Sequence, residues 1–126
     1  AVLLICAILS DEELKRYAKI AQELGLSALV EVHDEMEMQD AIQAGARVIG
    51  VNNRNLKDFT VDIGNSLRLR GQAPEDILFV AESGIKTAED IQALKKAHVN
   101  GVLIGETLMR SSDKKKCLQE LDADEI

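Results

Sequence analysis

Three side chains stand where chemistry needs them, at the polar ends of apolar runs. In ALVEVH (residues 28–33) a carboxylate interrupts a run of strand type. Side chains alternate along a strand, so Leu29, Glu31 and His33 share one face and Val30 and Val32 the other. The two valines suit a face covered by helices, which leaves Glu31 on the opposite face near the strand's C-terminal end. In VIGVNNRN (48–55), Asn52 shares a face with Val48 and Gly50, and Arg54 lies just past the rim. Asn53 and Asn55 read as loop-capping residues. In LFVAESG (78–84), Glu82 lies on the face of Leu78 and Val80. Glu31, Asn52 and Glu82 are therefore predicted to converge on one mouth. A carboxylate there is costly to bury unless paired or used, and burial lifts its pKa toward the acid–base range. Pairing of Glu31 with a neighbouring cation is the competing reading, and the recurrence on successive strands argues against it.

A second signal concerns anions. Ser83 and Gly84 lead toward a helix capped at Thr87, and Gly105, Glu106 and Thr107 open another helical turn. Glycines let backbone N–H groups approach a phosphate, and helix N-termini favour negative charge. Each glycine alone is an ordinary turn. In consecutive loops they predict a phosphate site, with the Glu106 side chain turned away because it would repel an anion. His33 and Glu31 share a face but lack a third ligand at recognisable spacing, so no metal site is expected.

The elements that must position these residues are legible as an alternation. Apolar, β-branched runs at residues 2–7, 28–32, 48–51, 77–81 and 102–104 have the continuous character of parallel strands covered on both faces. Between them lie helix signals. Ser10 and Glu13 have capping-box spacing, with Leu14, Tyr17, Ala18, Ala21 and Leu24 on one stripe and Gly25 as the C-terminal stop. Asp34 caps a helix reaching Ala44 and Gly45. Weaker helices are predicted over residues 63–70 and 113–121. Thr87 caps a helix that buries Ile91 and Leu94 and places Lys95 and Lys96 at its negative end. His98 and the Lys114–Lys116 run read as solvated surface.

The 126 residues, 46% hydrophobic, suffice for one domain with a real core, and no linker divides them. A net charge of −7 and 2% aromatic residues speak against nucleic acid or an anionic membrane as partner. Cys6 and Cys117 form no CxxC pair, and Cys6 sits in an apolar run as a small hydrophobe, so a reducing cytoplasmic setting is expected. The opening run, residues 1–9, lacks the basic leader of a signal peptide and is too short to span a bilayer. It reads as a buried strand, so the chain is expected to begin inside an element. Two α/β architectures fit: a five-stranded doubly wound sheet of flavodoxin type, or part of a parallel (β/α)8 TIM barrel, which in full takes roughly 250 residues. The strand-end polar residues favour a partial barrel of about five βα units.

Four stretches, LVEVHD (29–34), ARVIGVNNRNL (46–56), AESGI (81–85) and VLIGETLMR (102–110), resemble the indole-3-glycerol-phosphate synthases, (β/α)8-barrel lyases of tryptophan biosynthesis. The resemblance runs through essentially the whole chain and implies strands four to eight of the barrel. It further implies ring closure of 1-(2-carboxyphenylamino)-1-deoxyribulose 5-phosphate to indole-3-glycerol phosphate, with loss of carbon dioxide and water and no redox cofactor or metal. Glu31 matches the family's general base in the dehydration. Asn52 and Glu82 match residues that orient substrate and stabilise the intermediate, and Arg54 a rim residue beside the substrate. Ser83, Gly84, Gly105 and Glu106 match the phosphate loops. The family's first-strand Glu and Lys and its third-strand Lys, the general acid, have no counterpart here. This segment alone is therefore expected to be inactive, and to self-associate or pair with the missing N-terminal half. Another sugar-phosphate isomerase or epimerase barrel, or a non-catalytic flavodoxin-like module, stands as the alternative.

Overall fold

The computed structural model describes residues 1–122. Strands β1 (Val2–Ile5), β2 (Ala28–Val32), β3 (Val48–Asn52), β4 (Leu78–Glu82) and β5 (Gly101–Leu103) alternate with helices α1 (Asp11–Glu23), α2 (Glu35–Gln43), α3 (Gly64–Arg70) and α4 (Ala88–Lys96). After β5 come the short α5 (Glu106–Arg110) and α6 (Lys114–Leu121). The helix starts follow from their caps. Ser10 and Glu13 form a reciprocal capping box, as do Thr87 and Asp90, and Asp34 accepts from the Glu37 N–H. Gly25 and Gly45 adopt the left-handed conformation just past α1 and α2.

All strand pairs are parallel, and the spatial order is β1-β2-β3-β4-β5, with no reversal. That order decides between the two architectures. A doubly wound sheet reverses its strand order so that helices cover both faces. A sheet that advances one strand at a time by right-handed crossovers keeps every helix on one face, as an arc of a barrel does.

The burial pattern agrees. Leu4, Val30, Val32, Ile49, Val51 and Phe79 point to the helix side and form one core with Leu14, Met38, Ala41 and Leu69 of the helices. Ala81 continues that face into a second cluster with Ile91, Leu94 and Leu121. The other face, the concave one of a barrel, carries Leu3, Leu78 and Leu103, which are about half exposed at 48%, 52% and 52%. Among the described residues nothing covers them, and β1 and β5 each present a free edge.

Two expectations need correction. The first strand stops at Ile5 rather than residue 7, because Cys6–Ile8 wind into a 3-10 turn. There Cys6 packs against the core, and burial, with the carboxylates of Glu37 and Asp40, pushes its thiol up to about 12, far from a reactive thiolate. On α1 the buried stripe is Leu14, Ala18 and Ala21, whereas Tyr17 and Leu24 face outward with Ile20. Those three recur at helical spacing and form an exposed apolar flank of α1 and its C-cap.

Candidate active site

Parallel strands place all their C-terminal ends on one side, and the register brings the polar ends level. Ile5 pairs with Glu31, Glu31 with Gly50, Asn52 with Glu82, and Glu82 with Leu103. An open cleft of about 1040 Å³ lies there, between the strand ends and the loops that follow β3, β4 and β5. Glu31, Asn52 and Glu82, placed on one face by alternation, all line it, and so do Arg54, Ser83, Gly84, Gly105 and Glu106. Apolar Leu56, Val61, Ile85 and Leu103 add to the wall, as do Lys86, Thr107 and Arg110. Leu103 is not singled out by the sequence, although its register with Glu82 puts it on the same face, whereas Leu56 and Val61 reach the cleft because their loop folds back, with Arg54 and Val61 bridged antiparallel.

Glu82 is the most unusual group. It is 2% exposed, and among the described residues no donor reaches either carboxylate oxygen, so the Glu31 carboxyl beside it is the group a proton on Glu82 can bridge. Room for it exists because position 50 is glycine, since a Cβ there would strike the Glu82 carboxylate and crowd Leu29. Burial pushes its carboxyl up to about 8, and the neighbouring Glu31 carboxylate adds to the shift. Glu31 is itself buried at 8% exposure. Glu82 thus holds its proton more tightly than an ordinary carboxyl, beside a second buried carboxyl group. That is the arrangement proton transfer needs.

Asn52 turns its Oδ1 to the Arg54 N–H at 3.0 Å, which leaves Nδ2 as its donor toward the cleft. His33 lies outside the cleft wall. Its Nδ1 meets the Asn52 carbonyl at 2.7 Å, and since a carbonyl only accepts, Nδ1 carries the proton. Asn53 is fully buried and faces away, the capping role its position indicated. Asn55 likewise accepts from the Lys57 N–H within its loop.

Glu106 departs from expectation. Its carboxylate does not turn away from the mouth but spans it, meeting Arg54 at 2.7 Å and Arg110 at 3.0 Å. Those two guanidinium groups hold its carboxyl below the usual range. The repulsion foreseen for an inward glutamate is thus neutralised by Arg110, one helical turn on, and by Arg54, which sequence spacing does not pair with it.

The α4 N-terminus is closed to anions by its own side chains, because Asp90 accepts from the Lys86 and Thr87 N–H groups. The Gly84 and Gly105 N–H groups have no acceptor among the described residues. Both glycines line the cleft. They are therefore free to donate to an anion at this mouth.

A sequential parallel arc with helices on one face and its polar residues at the C-terminal mouth defines a segment of a (β/α)8 barrel. Solved structures share that fold. Thiamine phosphate pyrophosphorylase from Pyrococcus furiosus superposes with a TM-score of 0.74 at 21% identity, covering 96% of this chain and 56% of that one. The family model for indole-3-glycerol phosphate synthase matches residues 1–121, and the chain belongs to that family. It is 64% identical over 112 residues to the indole-3-glycerol phosphate synthase of Ruminiclostridium cellulolyticum, covering 89% of this chain and 43% of that one. The same enzyme of Leuconostoc mesenteroides is 55% identical over 120 residues, covering 95% and 46%. The chain thus spans less than half the length of these curated relatives. Neither the flavodoxin-like module nor another sugar-phosphate barrel is favoured by these findings. Among the described residues no helix is long and apolar enough to cross a membrane.

Proposed function

We propose that this chain supplies the carboxylate and phosphate-holding side of an indole-3-glycerol-phosphate synthase active site. The observation that carries the reading is the convergence of two buried carboxylates, Asn52 and two glycine loops on one cleft. The substrate, 1-(2-carboxyphenylamino)-1-deoxyribulose 5-phosphate, bonds an aromatic ring carbon to its ketose carbonyl carbon, then loses carbon dioxide and water. Its phosphate lies against Ser83, Gly84, Gly105 and the Glu106 backbone. Glu31 removes the proton whose loss completes the dehydration. Asn52 and protonated Glu82 donate hydrogen bonds to substrate oxygens, and Arg54 faces the substrate from the rim. Closure of the ring begins by protonating the carbonyl oxygen as the new bond forms. Among the described residues the one cleft cation without a carboxylate partner is Lys86, in the β4–α4 loop beyond the strand ends. The general acid therefore comes from strands outside this segment, which also cover Leu3, Leu78 and Leu103.

The test is complementation. Co-expressed with the N-terminal half of the Ruminiclostridium cellulolyticum enzyme, the chain is expected to give turnover at an enzyme-like rate, read by indole fluorescence. The chain alone gives none, and Glu31→Gln in the assembly lowers turnover by about a hundredfold or more. Comparable turnover by the chain alone, or an unaffected Glu31→Gln assembly, would contradict the reading.

A further inference from the structure

Asn53 does not line the cleft, yet it is tied to the loop that builds one side of it. Its Oδ1 accepts from the Ser66 N–H at 3.0 Å and the Ser66 hydroxyl at 2.7 Å. A backbone N–H only donates, so these bonds fix which way the amide lies. Nδ2 is then the end that reaches the Ser83 carbonyl, at 3.1 Å. The Asn53 N–H meanwhile donates to the Glu82 carbonyl at 2.8 Å. One buried side chain thus joins the end of β3, the start of α3 and the loop after β4.

That loop is not in a relaxed conformation. Ser83 and Gly84 both have positive φ, 67° and 77°, and a non-glycine residue adopts this region only when its surroundings hold it there. Across a trans peptide the carbonyl and the following N–H point in opposite directions. Holding the Ser83 carbonyl against Asn53, in the protein interior, therefore aims the Gly84 N–H the other way, into the cleft that Gly84 lines. A second brace acts at the loop's exit. Thr107 donates its hydroxyl to the Ile85 carbonyl at 2.7 Å, while the Lys86 N–H of the same peptide is held by Asp90 at 2.9 Å.

We infer that Asn53 and Thr107 are positioning residues that clamp residues 83–85 with the Gly84 N–H presented to an anionic phosphoryl group. The inference rests on the phosphate reading above and adds how the cradle is held. Thr107 itself lines the cleft, so the conformation of Ser83 without ligand, rather than affinity alone, separates bracing from direct contact.

The test uses the full chain, with inorganic phosphate as the probe and amide NMR as the readout. Thr107→Val removes the hydroxyl at nearly constant shape, Thr107→Ser restores it, and Asn53→Asp at alkaline pH keeps the Ser66 bonds but replaces the donor. Without ligand, the coupling that reports φ at Ser83 is expected to leave its left-handed value in Thr107→Val and Asn53→Asp. With phosphate, the same two variants are expected to bind roughly three- to tenfold more weakly at Gly84, with Thr107→Ser near the parent. Parent-like phosphate affinity in both cut variants, with Ser83 still left-handed, overturns the clamp and leaves the phosphate reading intact. A parent chain that shows no phosphate-dependent shift at Gly84 or Gly105 overturns the phosphate reading, and the clamp's role in anion binding with it.

Discussion

Glu82→Gln is expected to make the chain more stable than the parent above pH 8, by about 2 kcal/mol, and to remove a decline in stability that the parent shows as pH rises. The sign follows from the raised carboxyl. Its value is about 8 in the folded chain against 4.5 in the open one, so between those values the folded state holds the extra proton. Stability is therefore highest at and below the lower value, falls as pH rises through the window, and levels off above the upper one. Glutamine cannot ionise, and its amide can donate to the Glu31 carboxylate where the parent's ionised oxygens find no partner. In the complemented enzyme the same substitution removes the acid of the pair, and turnover is expected to fall about a hundredfold. A gain in stability with a loss of activity is the mark of a strained functional group. Urea unfolding of both chains across this pH range reads the first effect; identical slopes would assign the titration to another group.

Phe79→Ala carries the largest expected cost in stability. The ring is completely buried on the helix side of the sheet and packs in the main core, with the Arg70 guanidinium 5.4 Å from its centroid. Truncation removes the ring, leaves a cavity and frees a cation from its aromatic face, at about 3–5 kcal/mol in all. Single domains hold only about 5–15 kcal/mol in total, so most of the fold's margin goes with one side chain. The neighbouring Leu78→Ala is the control. Leu78 lies on the concave face and is half exposed, so its truncation is expected to cost less than about 1 kcal/mol. Equal costs at the two positions, measured by denaturant unfolding, would mean that the concave face is also covered, as in a self-associated chain.

The contrast between those adjacent residues shows what alternation alone can reveal. Parity along β4 separates Phe79 and Ala81 from Leu78 and Glu82, and the same rule puts Asn52 in the cleft and Asn53 behind it. Local capping chemistry likewise starts α1, α2 and α4 where Ser10, Asp34 and Thr87 stand. What parity and caps could not supply is non-local. The run that opens the chain looks like strand throughout, yet Cys6–Ile8 turn away after Ile5. An apolar stripe on α1 does not say that only Leu14, Ala18 and Ala21 meet this sheet while Tyr17 and Leu24 face outward. The direction of Glu106 depends on Arg54, which is remote in sequence and near only after two βα units have folded. The brace from Thr107 to the Ile85 carbonyl has the same origin.

The central claim is that this chain by itself presents one preformed side of a phosphate- and carboxylate-bearing site. An amide NMR titration with indole-3-glycerol phosphate, with inorganic phosphate as the control, tests it most directly. The expected result is shifts at Ser83, Gly84 and Gly105 with both ligands, extending to Glu31, Asn52 and Glu82 only with the indole compound. A well-dispersed spectrum that neither ligand perturbs would contradict the claim.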